Sequence, residues 1–339
     1  MQTNRATLPD ILRIILCVGV AFHHMTPIRP ASGPFMVIGF FVMSGFLLGM
    51  QFESLDKLDI SRFYNSKARR LLPMFFTALL AGFVLKLAVF VLKPETSSIL
   101  PNWQPTEWGN INPARLIGFY NAPLWFMWII FFMLLSAPLL FWLYKKKYAI
   151  YGLLALCILT TWSLFQQIPY SSDHGCGLYY SPIARSWEFV AGIVAAKIYA
   201  QCSIKSPILK CATNILCICL IIIFLAAGTW SMLVKQIADL NFWNYTFDFD
   251  FIVVFLFSLL IPFLFSANWK INERVAHSIS YLAILTYPIY LFHVPIYIAC
   301  SLTCAKIGIS HNLIAVAIAI PTTLIASIFA MRIQKRFFG

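Results

Sequence analysis

Charge is what this chain has least of. Asp, Glu, Lys and Arg make up 11% of its 339 residues, and only 12 residues are acidic. With 60% hydrophobic residues and a mean hydropathy of +0.80, the composition excludes an ordinary soluble domain of this length. No polar domain interrupts the apolar runs. The first of them has no small-residue cleavage site and is expected to stay as a membrane span rather than be removed as a signal peptide. The nine cysteines do not make a disulfide framework. Cys17, Cys157, Cys217, Cys219 and Cys300 fall in apolar runs, Cys202 and Cys211 in a loop, Cys304 at a helix end, and Cys176 alone on the predicted outer side. Cys217 and Cys219 point to different helix faces, so no metal site is expected. Ser44 lacks a G-x-S-x-G elbow, which argues against a serine nucleophile. No internal repeat of the kind common in transporters is visible.

What is present is a series of apolar segments near the ~20 residues needed to cross a bilayer. Ten are placed, at about 9–27, 34–52, 71–92, 123–143, 149–165, 182–200, 213–234, 249–268, 278–302 and 312–333. The expected fold is therefore all-α, a single polytopic domain over residues 1–339. Its orientation follows from the cations. With the N-terminus inside, seventeen of the 25 Lys and Arg lie on the inner side, five outside and three within spans. That imbalance puts both termini in the cytoplasm. The net charge of +13 then belongs to a face lying against anionic lipid and needs no nucleic acid as partner.

Polar residues inside spans are costly, about 2.5–3.5 kcal/mol for a cation on insertion scales, and so point to a protein interior and a task. Eleven helical steps of about 100° bring Arg13 and His24 to within roughly 20° of one face, ~16 Å apart along the axis. Asp10 and Cys17 share that face, and His23 is rotated off it. A snorkelling Arg13 with two interfacial histidines is the plainer alternative. Arg185 and Glu188, at i and i+3, can pair within the sixth span; such a pair can be structural or can present a cation to a developing oxyanion. In the ninth span Thr286, Tyr290 and His293 form a polar stripe, and Pro288 and Pro295 free backbone carbonyls. His24 and His293 each lie ~22 Å from the inner end of their span, a depth at which they can share one polar chamber.

Before the third span the chain reads Arg62-Phe63-Tyr64-Asn65-Ser66-Lys67-Ala68-Arg69-Arg70-Leu71-Leu72-Pro73. Lys67 and Arg70 share a face if this piece is helical. They can seat the phosphates of a coenzyme A thioester, or act only as a topology signal. The outer segments Lys93 to Ala122, with Trp103, Trp108 and Pro113, and Gln166 to Pro182, with Tyr170, Asp173, His174, Tyr179 and Tyr180, suit either an acceptor or a membrane surface.

Six short patterns occur in an order that resembles the acyltransferase-3 family of bacterial integral-membrane acyltransferases. They are Arg13-x10-His24, Phe40-Phe41-x-x-Ser44-Gly45-Phe46, the basic run ending Arg70-Leu71-Leu72-Pro73, Pro123-Leu124-Trp125-Phe126, Arg185-x-x-Glu188-Phe189, and Tyr287-x-x-Tyr290-Leu291-x-His293-x-Pro295. The resemblance covers nearly the whole chain. It implies transfer of an acyl group, usually acetyl, from cytoplasmic acyl-CoA to a sugar hydroxyl on an exported or lipid-linked glycan, in the bacterial inner membrane. Acetyl-CoA is then a donor substrate, with no resident cofactor or metal. The family's arginine–histidine pair corresponds to Arg13 and His24, and its R-x-x-R motif to Lys67 and Arg70. The lysine keeps the charge but lacks the two-pronged guanidinium. Arg185, Glu188, Tyr290 and His293 are expected to line the chamber. The C-terminal hydrolase-like domain of some relatives is not expected here. A transporter or flippase for glycan intermediates is the competing class, and a succinyl donor or an amine acceptor the competing chemistry.

Reporter fusions test the orientation. Fusions at Lys146 and Phe338 should report the cytoplasm, and fusions at Asn110 and Asp173 the outside; a cytoplasmic Asn110 contradicts the orientation.

Overall fold

The computed structural model describes residues 7–25, 33–92, 113–167, 180–201, 215, 219, 247–266, 271–309 and 312–338. These are helical and loop residues, with no strand among them. The helices are α1 Thr7–Met25, α2 Gly33–Glu53, α3 Ile60–Leu92, α4 Pro113–Tyr120, α5 Leu124–Leu135, α6 Ala137–Lys145, α7 Ala149–Gln167, α8 Pro182–Gln201, α9 Phe247–Ser266, α10 Glu273–Lys306 and α11 Asn312–Phe338. Among the described residues six helices are long and apolar enough to cross a membrane, or seven if α5 and α6 together form one span. The predicted spans at 182–200 and 249–268 are helical, as α8 and α9, but are not among those six, and 213–234 falls outside the described residues apart from Ile215 and Cys219, so ten spans are not shown among the described residues. Also outside them are Trp103, Trp108, Asn110, Tyr170, Asp173, His174, Cys176 and Tyr179.

Two predicted segments differ from what folds. The run 123–143 is interrupted at Ser136, where Pro138 offers no N–H to the preceding turn and Ser136 Oγ donates to the Met133 carbonyl at 2.7 Å. The basic run before the third span continues the same helix, so α3 has 33 residues. That is ~50 Å of helix against ~30 Å of hydrocarbon, and the surplus of nearly four turns has room for the stretch that carries Arg62, Lys67, Arg69 and Arg70.

The chain divides into two compact units. The first holds Met1–His23, Arg29–Leu58 and Phe132–Ile284. Its core is α2 against α8, with α7 and α9 packed around them. The approach is set by two glycines. A Cβ on Gly45 would strike the Phe189 carbonyl, and a Cβ on Gly192 the Val42 carbonyl. Close helix packing of this kind substitutes for a hydrophobic driving force that lipid cannot supply. Phe41, Phe46, Phe52, Trp187, Phe189 and Phe257 fill the remaining space. At one end Lys197 Nζ donates to the carbonyls of Tyr144 and Lys146 at 2.6 and 2.8 Å, capping the C-terminus of α6 with a cation.

The second unit holds His24–Ile28, Asp59–Phe131 and Leu285–Gly339. Proline organises it. Pro295 removes the donor that would satisfy the Leu291 carbonyl, and Asn121 Nδ2 fills the place at 2.9 Å. The same amide donates to the Ala78 carbonyl at 3.2 Å, tying α3 to α10. Pro73 likewise frees the Arg69 carbonyl, and Gln334 Nε2 of α11 donates to it at 3.2 Å and to the Arg70 carbonyl at 2.6 Å. Tyr287 Oη closes the set, donating to the Leu71 carbonyl at 2.8 Å.

Candidate active site

In the second unit α1 ends beside the middle of α10. His24 Nδ1 lies 2.9 Å from His293 Nε2, and the two rings stack at 5.1 Å between centroids with 25° between planes. His24 is exposed, and His293 is fully buried. His293 Nδ1 faces back into its own helix, 2.8 Å from the Tyr290 carbonyl and 3.2 Å from that of Ile289. Tyr290 is buried at 5% exposure and packs its ring edge-on to Phe126 at 5.4 Å and beside His293 at 6.0 Å. Thr286, the third member of the stripe, is buried as well. The equal depths of His24 and His293 in their spans thus correspond to direct contact. Met25, next along α1, sits in an apolar cluster with Val316 and Ala319, which holds this end of α1 against α11.

The cations near the start of α3 belong to the same unit. Lys67 and Arg70 are one helical turn apart. Arg70 is exposed, whereas Lys67 is half-buried with its Nζ 5.3 Å from the Phe63 ring centroid. That is cation–π range. The Gln334 bonds fix the backbone beneath this pair, so both side chains rise from a braced turn of helix.

In the first unit Arg13 Nη1 lies 3.5 Å from Asp10 Oδ1, and Ser280 Oγ donates to Asp10 Oδ2 at 3.0 Å. Arg13 is partly enclosed, at 25% side-chain exposure, and its carboxylate partner more so. Arg185 and Glu188 are both fully buried, with Nη1 donating to Oε1 at 2.5 Å. Asp250 Oδ2 approaches the same nitrogen at 3.8 Å, and the guanidinium lies 6.0 Å from the Phe41 ring centroid. Two carboxylates therefore share one cation. Removing one partner from such a buried pair typically costs about 3–5 kcal/mol, so this cluster is a determinant of the fold around α2, α8 and α9 in its own right.

Four polar residues in these arrangements have no counterpart in the sequence reading: Asn121, Asp250, Ser280 and Gln334. Asp250 leaves a signal, a carboxylate at the mouth of an apolar run that needs a buried cation as partner. Asn121 leaves a fainter one, an amide directly before Ala122-Pro123 and a span. Ser280 and Gln334 leave none, since a hydroxyl or an amide near the end of an apolar run is ordinary.

A family model for acyltransferase-3 proteins, described as an acyltransferase domain, matches residues 8–332. The chain belongs to the acyltransferase-3 family. No curated protein and no solved structure matches it. Membership makes this a multi-pass membrane acyltransferase. Such an enzyme needs a group that can accept a proton or an acyl group near neutral pH, and imidazole is one.

The basic turn of α3 gives a test of where the acyltransferase takes its donor. If the donor is acetyl-CoA seated on this turn, as the resemblance implies, replacing Lys67 and Arg70 together by alanine should raise its apparent KM by at least about tenfold, since charge-assisted phosphate contacts contribute roughly 1.5–3 kcal/mol each. Lys67→Arg should hold or lower it. An unchanged KM in the double variant, measured on protein that still inserts, leaves the pair as a topology signal.

Proposed function

We propose that this acyltransferase moves an acetyl group from cytoplasmic acetyl-CoA to a hydroxyl of a cell-surface polysaccharide sugar, foremost a lipopolysaccharide O-antigen unit, in the bacterial inner membrane. The observation that carries the reading is the His24–His293 contact: an exposed imidazole held by a buried one, at the end of a helix that also carries Arg13. A sugar hydroxyl is a weak nucleophile and needs a base. His24 takes the hydroxyl proton as the oxygen forms its bond to the thioester carbonyl; the C–S bond breaks and the thiolate leaves with a proton. Alternatively the imidazole accepts the acetyl first and passes it to the hydroxyl. Arg13, on the same helix, orients the donor's thioester or phosphates, and Lys67 and Arg70 hold its nucleotide end. Tyr290 with His293 supplies a polar wall beside His24. The acceptor is an exported or lipid-linked glycan.

Nothing in the described geometry favours the transporter reading over this one, and the family model supports acyl transfer. Mass spectrometry of surface glycan tests the proposal. Cells with the wild-type protein should carry an acetyl increment that cells lacking it do not. His24→Ala should abolish the increment, because loss of a general base costs on the order of 10²–10⁴ in rate. His23→Ala should keep most of it, since His23 lies about 100° around α1 from His24. If His23 is the essential residue, or both variants acetylate normally, the site is not built on His24.

A further inference from the structure

The hydrogen bonds around His293 decide something the sequence cannot, namely which nitrogen of His24 carries its proton. A neutral imidazole has one N–H and one lone pair, and a carbonyl oxygen can only accept. His293 Nδ1 faces two carbonyls, those of Tyr290 at 2.8 Å and Ile289 at 3.2 Å, so its proton is on Nδ1. The ring is fully buried, and among the described residues no carboxylate lies within ion-pairing distance of it. A charged His293 would carry an uncompensated buried cation, so the ring is neutral and its Nε2 is an acceptor. His24 Nδ1, 2.9 Å away, must then be the donor. One orientation propagates from backbone to site: His24 Nδ1–H to His293 Nε2, and His293 Nδ1–H to the Tyr290 carbonyl.

We propose that His293 is a positioning residue that fixes His24 as its Nδ1–H tautomer, so that Nε2 of His24 is the lone-pair nitrogen offered to the reaction. The inference rests on the reading of His24 as base or acyl carrier for its catalytic meaning, though the tautomer itself does not. It does the work that a carboxylate does in a serine-hydrolase triad, with a neutral ring in place of the anion. The neutral orienter suits an apolar surrounding, where a second buried charge would have to be paired. When His24 Nε2 takes the hydroxyl proton, the imidazolium keeps its Nδ1–H bond to His293, and no proton leaves the pair. Tyr290 enters through its carbonyl, and its ring packing against Phe126 holds that segment of α10 in place. Pro295 sharpens the arrangement. It prevents the Leu291 carbonyl from taking a helical bond, Asn121 binds it instead, and the turn that carries His293 is thereby tied to α3 as well.

Nitrogen-15 NMR of the full-length, histidine-labelled protein in lipid bilayers reads the tautomers directly. His24 and His293 signals are assigned by their loss in His24→Ala and His293→Ala. Both residues should show a protonated Nδ1 and a bare Nε2. In His293→Ala the His24 signal should redistribute between tautomers. In His293→Gln it should stay as Nδ1–H, because the amide oxygen can accept from His24 while the amide N–H₂ donates to the carbonyl. Acetyl transfer from radiolabelled acetyl-CoA to glycan in isolated membranes should fall in kcat by about tenfold or more in His293→Ala, with KM for acetyl-CoA within about twofold, and His293→Gln should recover most of kcat. A protonated Nε2 on His24 in the wild type overturns the proposal, as does a His24 tautomer unaffected by His293→Ala. Correct tautomers in a protein that acetylates no glycan would instead leave the positioning intact and overturn the functional reading.

Discussion

Backbone carbonyls and charged side chains placed in hydrocarbon need partners inside the protein, and that requirement arranges both units. In the second it is set by proline. Each proline within a helix deletes one N–H and orphans one carbonyl four residues earlier. Pro295 orphans Leu291 and recruits Asn121; Pro73 orphans Arg69 and recruits Gln334. The helices α3, α10 and α11 are held in register by these replacements. In the first unit the same requirement falls on charge: Arg185 lies buried only because Glu188 and Asp250 are buried with it. The glycines of α2 and α8 let the two backbones come close enough for that cluster to exclude lipid.

The chemistry is drawn from the same economy. On the proposed reading, a carbonyl of α10 orients His293 and His293 orients His24, so the imidazole proposed as base receives its tautomer from the backbone. In the same unit α3 runs longer than a span requires, and Lys67 and Arg70 lie on its surplus turns, where the proposed reading seats an anionic donor. One rigid helical element thus presents cations at its polar end and is tied to the histidine-bearing helix through Asn121 and Tyr287.

Much of this was legible in the chain. Hydropathy located most of the described helices, because a span must be apolar for ~20 residues whatever it packs against. Helical spacing paired Arg185 with Glu188, since i and i+3 are neighbours on any helix. Counting depth brought His24 and His293 to one level, and the structure turns that level into a 2.9 Å contact. Asn121, Asp250, Ser280 and Gln334 were not legible, because their partners lie far away in sequence and depend on how helices are rotated against one another. The break at Ser136 was also missed; Pro138 within an otherwise unbroken apolar run was its only trace. Lys67 marks the limit of pattern reading, since its charge is fixed by sequence while its Phe63 partner and half-buried state come from the fold.

The central claim is that an acyl group enters from a donor on one side of the membrane and leaves on an acceptor exported to the other. Sealed membrane vesicles of opposite orientation, prepared from cells that make the glycan, test it with radiolabelled acetyl-CoA, which does not cross a bilayer. Inside-out vesicles, which present the cytoplasmic face to the medium, should incorporate label into glycan, and right-side-out vesicles should incorporate it only after permeabilisation. Equal labelling of intact right-side-out vesicles would contradict the account.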